Sequence, residues 1–371
     1  MFEGSWKIGR IMGIPIRIHF SWFVIFVLIT WSLATQYFPQ VAPELPIATN
    51  WLRGAIAAFL LFISVIIHEL SHSFVAKKYG IPISSITLFI FGGVAQMKKE
   101  PSSPKAELNM AIAGPFSSYA LALIFFLLSN LFADYPGAKA IALYLFQINL
   151  ILGTFNLIPG FPMDGGRVLR AWLWEKSGDY LSATRKASKA GQAIAFLFMF
   201  FGFISFFTGY SGGMWFLLIG WFLYTAAQSS FQQATIKGIL AGVKVRDVMA
   251  RDVITVNSDI SLSVLVDNYF LTYGYGGFPV LEGGKLAGII SLKEIKEVPK
   301  DKWPSTSARD TMQIFDDSLT VSENDDVSMT LERMIKEDTG RFLAINNGKL
   351  AGMITRSGIA KYLQIKNELK G

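Results

Sequence analysis

Apolar residues run in long unbroken blocks through the first two thirds of this chain and in short runs thereafter. The blocks extend from about Ile18 to Thr35, Leu52 to Val75, Ala106 to Phe132, Ala138 to Ile158, Ala190 to Thr208 and Met214 to Phe231. A helix needs roughly 20 apolar residues to cross the hydrocarbon layer, so the pattern predicts six membrane spans. The first block is too long for a signal-peptide core and lacks a cleavage site, so it reads as a helix of the mature chain. Beyond about Lys237 charged residues become frequent, and apolar runs shrink to strand length, as in Val253-Ile254-Thr255-Val256 and Gly288-Ile289-Ile290-Ser291. This stretch also repeats itself. Arg246-Asp247-Val248-Met249 returns as Arg309-Asp310-Thr311-Met312, and Gly284-Lys285-Leu286-Ala287-Gly288 returns as Gly348-Lys349-Leu350-Ala351-Gly352. Each copy reads strand, helix, strand, strand, helix, which predicts two small α+β modules packed as a pair.

Composition agrees with the pattern. Of 371 residues, 52% are hydrophobic and 16% charged, against about 25% charged in an average soluble domain. The net charge of +7 is scattered among apolar blocks and does not suit nucleic-acid binding. It suits membrane orientation instead. Lys7, Arg10 and Arg17 precede the first block, and Gln36 to Asn50 carries no Lys or Arg. Lys77, Lys78, Lys98, Lys99 and Lys105 follow the second block, whereas only Lys139 follows the third. Arg167, Arg170, Lys176, Arg185, Lys186 and Lys189 follow the fourth, and the Tyr210-Ser211-Gly212-Gly213 turn is uncharged. Basic and neutral loops alternate, which predicts a multi-pass protein of the cell membrane with both termini and the repeated tail in the cytoplasm. The chain has no Cys, which excludes disulfides, cysteine metal sites and thiol catalysis.

Two of the three His lie in His68-Glu69-Leu70-Ser71-His72, late in the second block. Positions i and i+4 share a helix face, so both imidazoles can reach one metal ion, with Glu69 beside them to take a proton from water. Charged groups within a span are expensive and functional by default. A catalytic zinc takes three protein ligands and keeps one open position. Two candidates remain for the third ligand. His19 is the spare imidazole but reads better as an interfacial residue packed near Trp22. Asp164 is the better candidate: two prolines and several glycines around it break the fourth block where a ligand must turn inward.

These residues carry a resemblance. The His68 to His72 motif, together with Asn156, Pro159, Pro162, Asp164 and Gly165, resembles the site-2 protease family of intramembrane zinc metalloproteases, whose second motif is Asn-x-x-Pro-x-x-Pro-x-Asp-Gly. Phe91-Gly92-Gly93-Val94-Ala95 is similar to that family's glycine-containing membrane-dipping strands, and Ala113-Gly114-Pro115 to its Gly-Pro element. The resemblance covers about Gly13 to Arg170. It implies one zinc per chain on His68, His72 and Asp164, Glu69 as general base and acid, and Asn156 binding substrate or stabilising the oxyanion. The partner it implies is a transmembrane protein substrate in the bilayer, unwound locally and held extended near Gly92 and Gly93. Those two glycines, like Gly114 and Pro115, can equally serve close packing.

The tail, about Val243 to Leu363, resembles a tandem pair of cystathionine-β-synthase (CBS) domains, on its Met249 and Met312 starts and its Gly288–Ser291 and Gly352–Thr355 stretches. Such pairs often bind adenine nucleotides (ATP, ADP or AMP) through that Ser or Thr and an Asp three residues on. Here the implied contacts are Ser291, Glu294 and Thr355, while Gly358 stands where the second Asp would be. The alternative is a packing and homodimerisation module without ligand.

The expected fold class is thus a polytopic α-helical membrane protein with a short membrane-associated β segment and a cytoplasmic α+β tandem CBS module. The expected domains are a transmembrane metalloprotease domain at 1–236 and CBS domains at 243–300 and 305–366. The expected function is intramembrane zinc endopeptidase. The competing reading is a CBS-regulated ion or metal transporter using the same three ligands, which would not need Glu69.

Overall fold

A computed structural model of the chain describes residues 4–97, 99–209, 212–314, 316–346 and 349–369. Lys98, Tyr210, Ser211 and Gly348, which figure in the loop and repeat readings above, lie outside the described residues. The chain divides into two compact units, Met1–Ala234 and Thr235–Gly371.

The first unit opens with a hairpin that the apolar blocks did not predict. Strands β1 (Ser5–Ile11) and β2 (Ile14–His19) pair antiparallel. Met12 and Gly13, both at positive φ, turn the chain between them. The first predicted block therefore begins in a strand, and its helix starts only at Ser21. Helix α1 (Ser21–Ser32) runs through a π-helical turn (Leu33–Tyr37) into α2 (Phe38–Val41). The second block lies in α3 (Ile47–Lys78). Strands β3 (Ile83–Phe89) and β4 (Gly92–Met97) then join the hairpin in a sheet of order β1-β2-β3-β4, parallel only between β2 and β3. Alternate residues Ile14 and Ile16 of β2, with Ile86 of β3, face Ile66 and Leu70 of α3. The period-2 apolar face of the sheet thus rests on the turns of α3 that carry the His motif.

The third to sixth blocks lie in α4 (Pro104–Leu131), α5 (Pro136–Asn156), α7 (Tyr180–Phe207) and α8 (Gly213–Leu240). Between α5 and α7 comes α6 (Asp164–Ser177), read from sequence as a basic loop. Ser103 caps α4 by accepting from the Ala106 N–H, Asp179 caps α7, and Gly178 in the left-handed region ends α6. Among the described residues, Ser21–Val41, α3, α4, α5 and α7 are long and apolar enough to cross a membrane. The sixth predicted block lies in α8, 28 residues long. Helices meet through small buried residues, such as Ala106, Ala111, Gly114, Ser118 and Ala122 of α4. Large apolar side chains stay on the outside: Phe196, Phe200, Phe201 and Phe203 are exposed. Phe198 instead packs with Met163, Ala195 and Leu223.

The second unit contains two α+β copies. In the first, β5 (Val256–Asn257), α9 (Leu262–Leu265) with its π-helical continuation, and α10 (Leu271–Tyr273) lead to β6 (Gly277–Glu282), β7 (Lys285–Ser291) and α11 (Leu292–Lys296). After α12 (Ala308–Thr311), strand β8 (Gln313–Ile314) completes a sheet of order β5-β6-β7-β8. The second copy runs β9 (Thr320–Ser322), α13 (Val327–Lys336), β10 (Arg341–Asn346), β11 (Lys349–Thr355) and α14 (Arg356–Glu368), its sheet ordered β11-β10-β9. Each copy has its own core, around Phe278 and Ile290 in the first and Phe342 and Ile354 in the second.

Candidate metal centre

His68 and His72 project from successive turns of α3 and are almost completely buried. Their Nε2 atoms lie 3.2 Å apart, and Asp164 Oδ2 lies 3.1 Å from each. The far ring nitrogens are held by α4. His72 Nδ1 lies 2.7 Å from the Met110 carbonyl, which can only accept, so that nitrogen carries the proton and Nε2 presents a lone pair. His68 Nδ1 lies 2.9 Å from Ser118 Oγ. Ligands at about 2.0–2.1 Å from a tetrahedral zinc stand about 3.3 Å from one another, so the three atoms fit one such ion. His68, His72 and Asp164 are also the one group of three or more metal-ligating side chains of this kind among the described residues.

The local fold explains how Asp164 reaches the two His. Loop 157–163 turns the chain back after α5, and Asp164 is the first residue of α6. A Cβ on Gly165 would lie 2.3 Å from the Leu157 carbonyl oxygen, and one on Gly166 would lie 2.3 Å from Gly160 C. Loop and helix start therefore pack backbone to backbone, which only glycine permits. Gly114 has a reason beyond the close packing read from sequence. A Cβ there would sit 2.2 Å from His72 Nε2 and 2.6 Å from His68 Nε2, in the space between the ligands.

Glu69 follows His68 on α3, and its Oε2 accepts the Ala95 N–H of β4 at 3.1 Å. Gly93 lies under the same side chain: a Cβ there would be 2.8 Å from Glu69 Cγ. Gly92 has φ of 124°, a conformation few other residues adopt. The sheet thus brings Gly93 and Ala95 beside the acid of the His motif, while a Cβ on Gly92 would meet open space. Asn156 ends α5, and its Nδ2 donates to the Leu152 carbonyl at 3.0 Å, with no hydrogen bond to the cluster among the described residues. His19 sits at the end of β2 with Nδ1 2.8 Å from Ser21 Oγ, away from the three ligands.

Arg170, counted from sequence among the basic residues that follow the fourth block, lies in α6. It is buried, donates from Nε to Glu107 Oε1 at 2.8 Å and from Nη2 to the same oxygen, and lies between the rings of Phe161 and Tyr180. Burial opposes its charge, yet Glu107 raises the guanidinium pKa above its ordinary value. Sequence gave no signal for a partner 63 residues away. Met110, Gly114 and Ser118 were likewise missed as supports, although their spacing from Glu107 places them on one helix face.

In the tail, the Glu294 carboxylate folds back to cap its own helix, accepting from Ser291 N at 2.8 Å and from Ser291 Oγ. Thr355 Oγ1 accepts from Gly358 N at 3.0 Å. It borders a cavity of about 260 Å³ lined by Met249, Ala250, Met353, Gly358 and Lys361, among others. The cavity thus lies where the start of the first copy meets the second, beside the glycine that replaces the expected acid.

The sequence pattern of peptidase family M50 matches residues 56–136 and 132–202, and that of the CBS domain matches 245–301 and 304–365. Zinc metalloprotease MJ0392 of Methanocaldococcus jannaschii is 34% identical over 369 residues, covering 99% of each chain. Rip3 of Mycobacterium tuberculosis is 33% identical, covering 96% of this chain and 92% of its own. A solved site-2 protease from Methanocaldococcus jannaschii is 37% identical, covering 61% of this chain and 95% of its own, with a TM-score of 0.45.

Proposed function

Because the chain belongs to peptidase family M50, the site-2 protease family of metallopeptidases, we propose that it is an intramembrane zinc endopeptidase that cuts transmembrane segments of other membrane proteins. The observation that carries this reading is the convergence of His68 Nε2, His72 Nε2 and Asp164 Oδ2 within hydrogen-bonding distance of one another, beside a carboxylate. Zinc held by these three residues would supply a Lewis acid for the scissile carbonyl and lower the pKa of water to about 7. Glu69, steered by the Ala95 N–H, takes the proton of the attacking water and passes it to the departing amine. Asn156 spends one of its two Nδ2 hydrogens on Leu152, leaving the other for the developing oxyanion.

Substrate binding follows from the same geometry. A helical segment hides its carbonyls in internal hydrogen bonds and must unwind before attack. The Ala95 N–H points away from β3 toward Glu69, so the free edge of β4 lies beside the base. An unwound segment adds to that edge near Gly92 and Gly93. The protein is a multi-pass membrane protein, and the alternation of basic and neutral loops supports cytoplasmic termini. The protease domain takes in 1–236, and the CBS domains 243–300 and 305–366. An adenine nucleotide in the Thr355 cavity modulates cleavage, and the CBS pair supports homodimers.

The test is Glu69→Gln in full-length protein with a transmembrane substrate. Cleavage should fall by about 10²–10⁴-fold while zinc content stays at the wild-type level. Cleavage near the wild-type rate would remove the general base from this reading.

A further inference from the structure

Helix α4 supports both halves of the centre. Met110 and Ser118 hold the far nitrogens of His72 and His68, and Gly114 leaves the space between their near ones. Glu107 stands on the same face, one turn before Met110, and is buried like them. Its partner Arg170 belongs to α6, six residues after Asp164. The guanidinium also stacks 4.8 Å from Phe161, in the loop that delivers Asp164, and 4.7 Å from Tyr180 at the start of α7. Loop and the start of α6 pack as one block, because Gly165 and Gly166 press against the loop backbone. Nothing in the pair touches the three ligand atoms. Its geometry instead fixes the loop and α6 against the helix that positions the two His.

We infer that Glu107 and Arg170 form a positioning clamp that sets Asp164 at ligating distance from His68 and His72. The inference rests on the zinc reading above. Asp164 arrives from a separate segment of chain, so its distance to the other two ligands depends on how α6 is anchored. A carboxylate that drifts by several tenths of an ångström no longer matches a tetrahedral ion. Removing either half alone would leave the other buried charge without its hydrogen-bonded partner. Removing both charges together, with apolar side chains of similar size, leaves packing intact and deletes only the anchor.

The experiment measures zinc occupancy of full-length protein in detergent against a series of buffered free-zinc concentrations. It compares wild type, Glu107→Leu/Arg170→Met, Arg170→Lys and Asp164→Ala, with the cobalt-substituted visible spectrum as a second readout. The double variant should remain monodisperse, bind zinc about 10–100-fold more weakly and show an altered cobalt spectrum. Arg170→Lys, which keeps the charge but not the planar fork, should fall between it and wild type. Adding the double change to Asp164→Ala should weaken zinc no further. Wild-type zinc affinity in a folded double variant would overturn the clamp, as would losses that add to those of Asp164→Ala. If the double variant does not fold, Arg170→Lys decides: wild-type affinity and spectrum there overturn the clamp. Unchanged zinc affinity in Asp164→Ala would instead overturn the three-ligand reading itself.

Discussion

Replacing Gly114 with alanine puts one methyl group into the centre. Its Cβ would lie 2.2 Å from His72 Nε2, 2.5 Å from His72 Cε1 and 2.6 Å from His68 Nε2. Ordinary contact begins at 3.4 Å, so His72 and the methyl must separate by about 1.2 Å. The ring cannot simply withdraw, because its Nδ1 is held at 2.7 Å by the Met110 carbonyl, on the helix that carries the new methyl. Either that hydrogen bond breaks or α4 moves away from α3. Metal–ligand distances tolerate only about 0.2 Å. The methyl also takes up volume between the two lone pairs that zinc would occupy. We expect Gly114→Ala to lower zinc affinity at least as much as loss of a supporting hydrogen bond, more than about 100-fold, with cleavage falling in parallel. The assay is metal analysis of purified protein at buffered free zinc, with size-exclusion and thermal unfolding as controls for folding. A folded Gly114→Ala protein that keeps one zinc per chain and cleaves normally would show that the ion does not sit between these imidazoles.

Three further outcomes follow from other contacts. Ser118→Ala removes the 2.9 Å partner of His68 Nδ1, and zinc affinity should fall about 10–100-fold; an unchanged affinity would show that Ser118 does not orient the ligand. Gly93→Val crowds Glu69 Cγ and Val65 from contacts already at 2.8 and 3.1 Å, so zinc should stay bound while substrate cleavage drops by about 10² or more. Normal cleavage in that variant would mean that the carboxylate need not stay beside β4. In titrations of full-length protein with ATP, Thr355→Val should weaken binding and Ser291→Ala should not, since the cavity borders Thr355 and Ser291 is tied to Glu294. The reverse pattern would put the nucleotide at the first copy.

The features legible in the sequence are those encoded locally. Helix periodicity joins His68 to His72, apolar length predicts the helices, and the literal repeat predicts two modules with the observed strand and helix order. Asp164 was legible as a ligand candidate because the prolines and glycines around it break the fourth block where a ligand must turn inward. The N-terminal hairpin left a signal that the reading passed over. Ile14, Ile16 and Ile18 alternate with Pro15, Arg17 and His19, a period of two, but Ile18 also begins an apolar block and the longer pattern prevailed. Helix α6 was hidden because Arg167, Arg170 and Lys176 look like a cytoplasmic loop. Burial of Arg170 against Glu107 depends on packing between distant segments, which no local pattern reports. Gly114 shows the same limit: its glycine is visible, but the imidazoles it makes room for lie more than 40 residues away.

The most direct test of the central claim is zinc per chain in detergent-purified protein, for wild type, His72→Ala and Asp164→Ala. The account predicts about one zinc in wild type and its loss or sharp reduction in both variants. Wild-type protein that holds no zinc and cannot be reloaded with it would contradict the account, as would full zinc in Asp164→Ala.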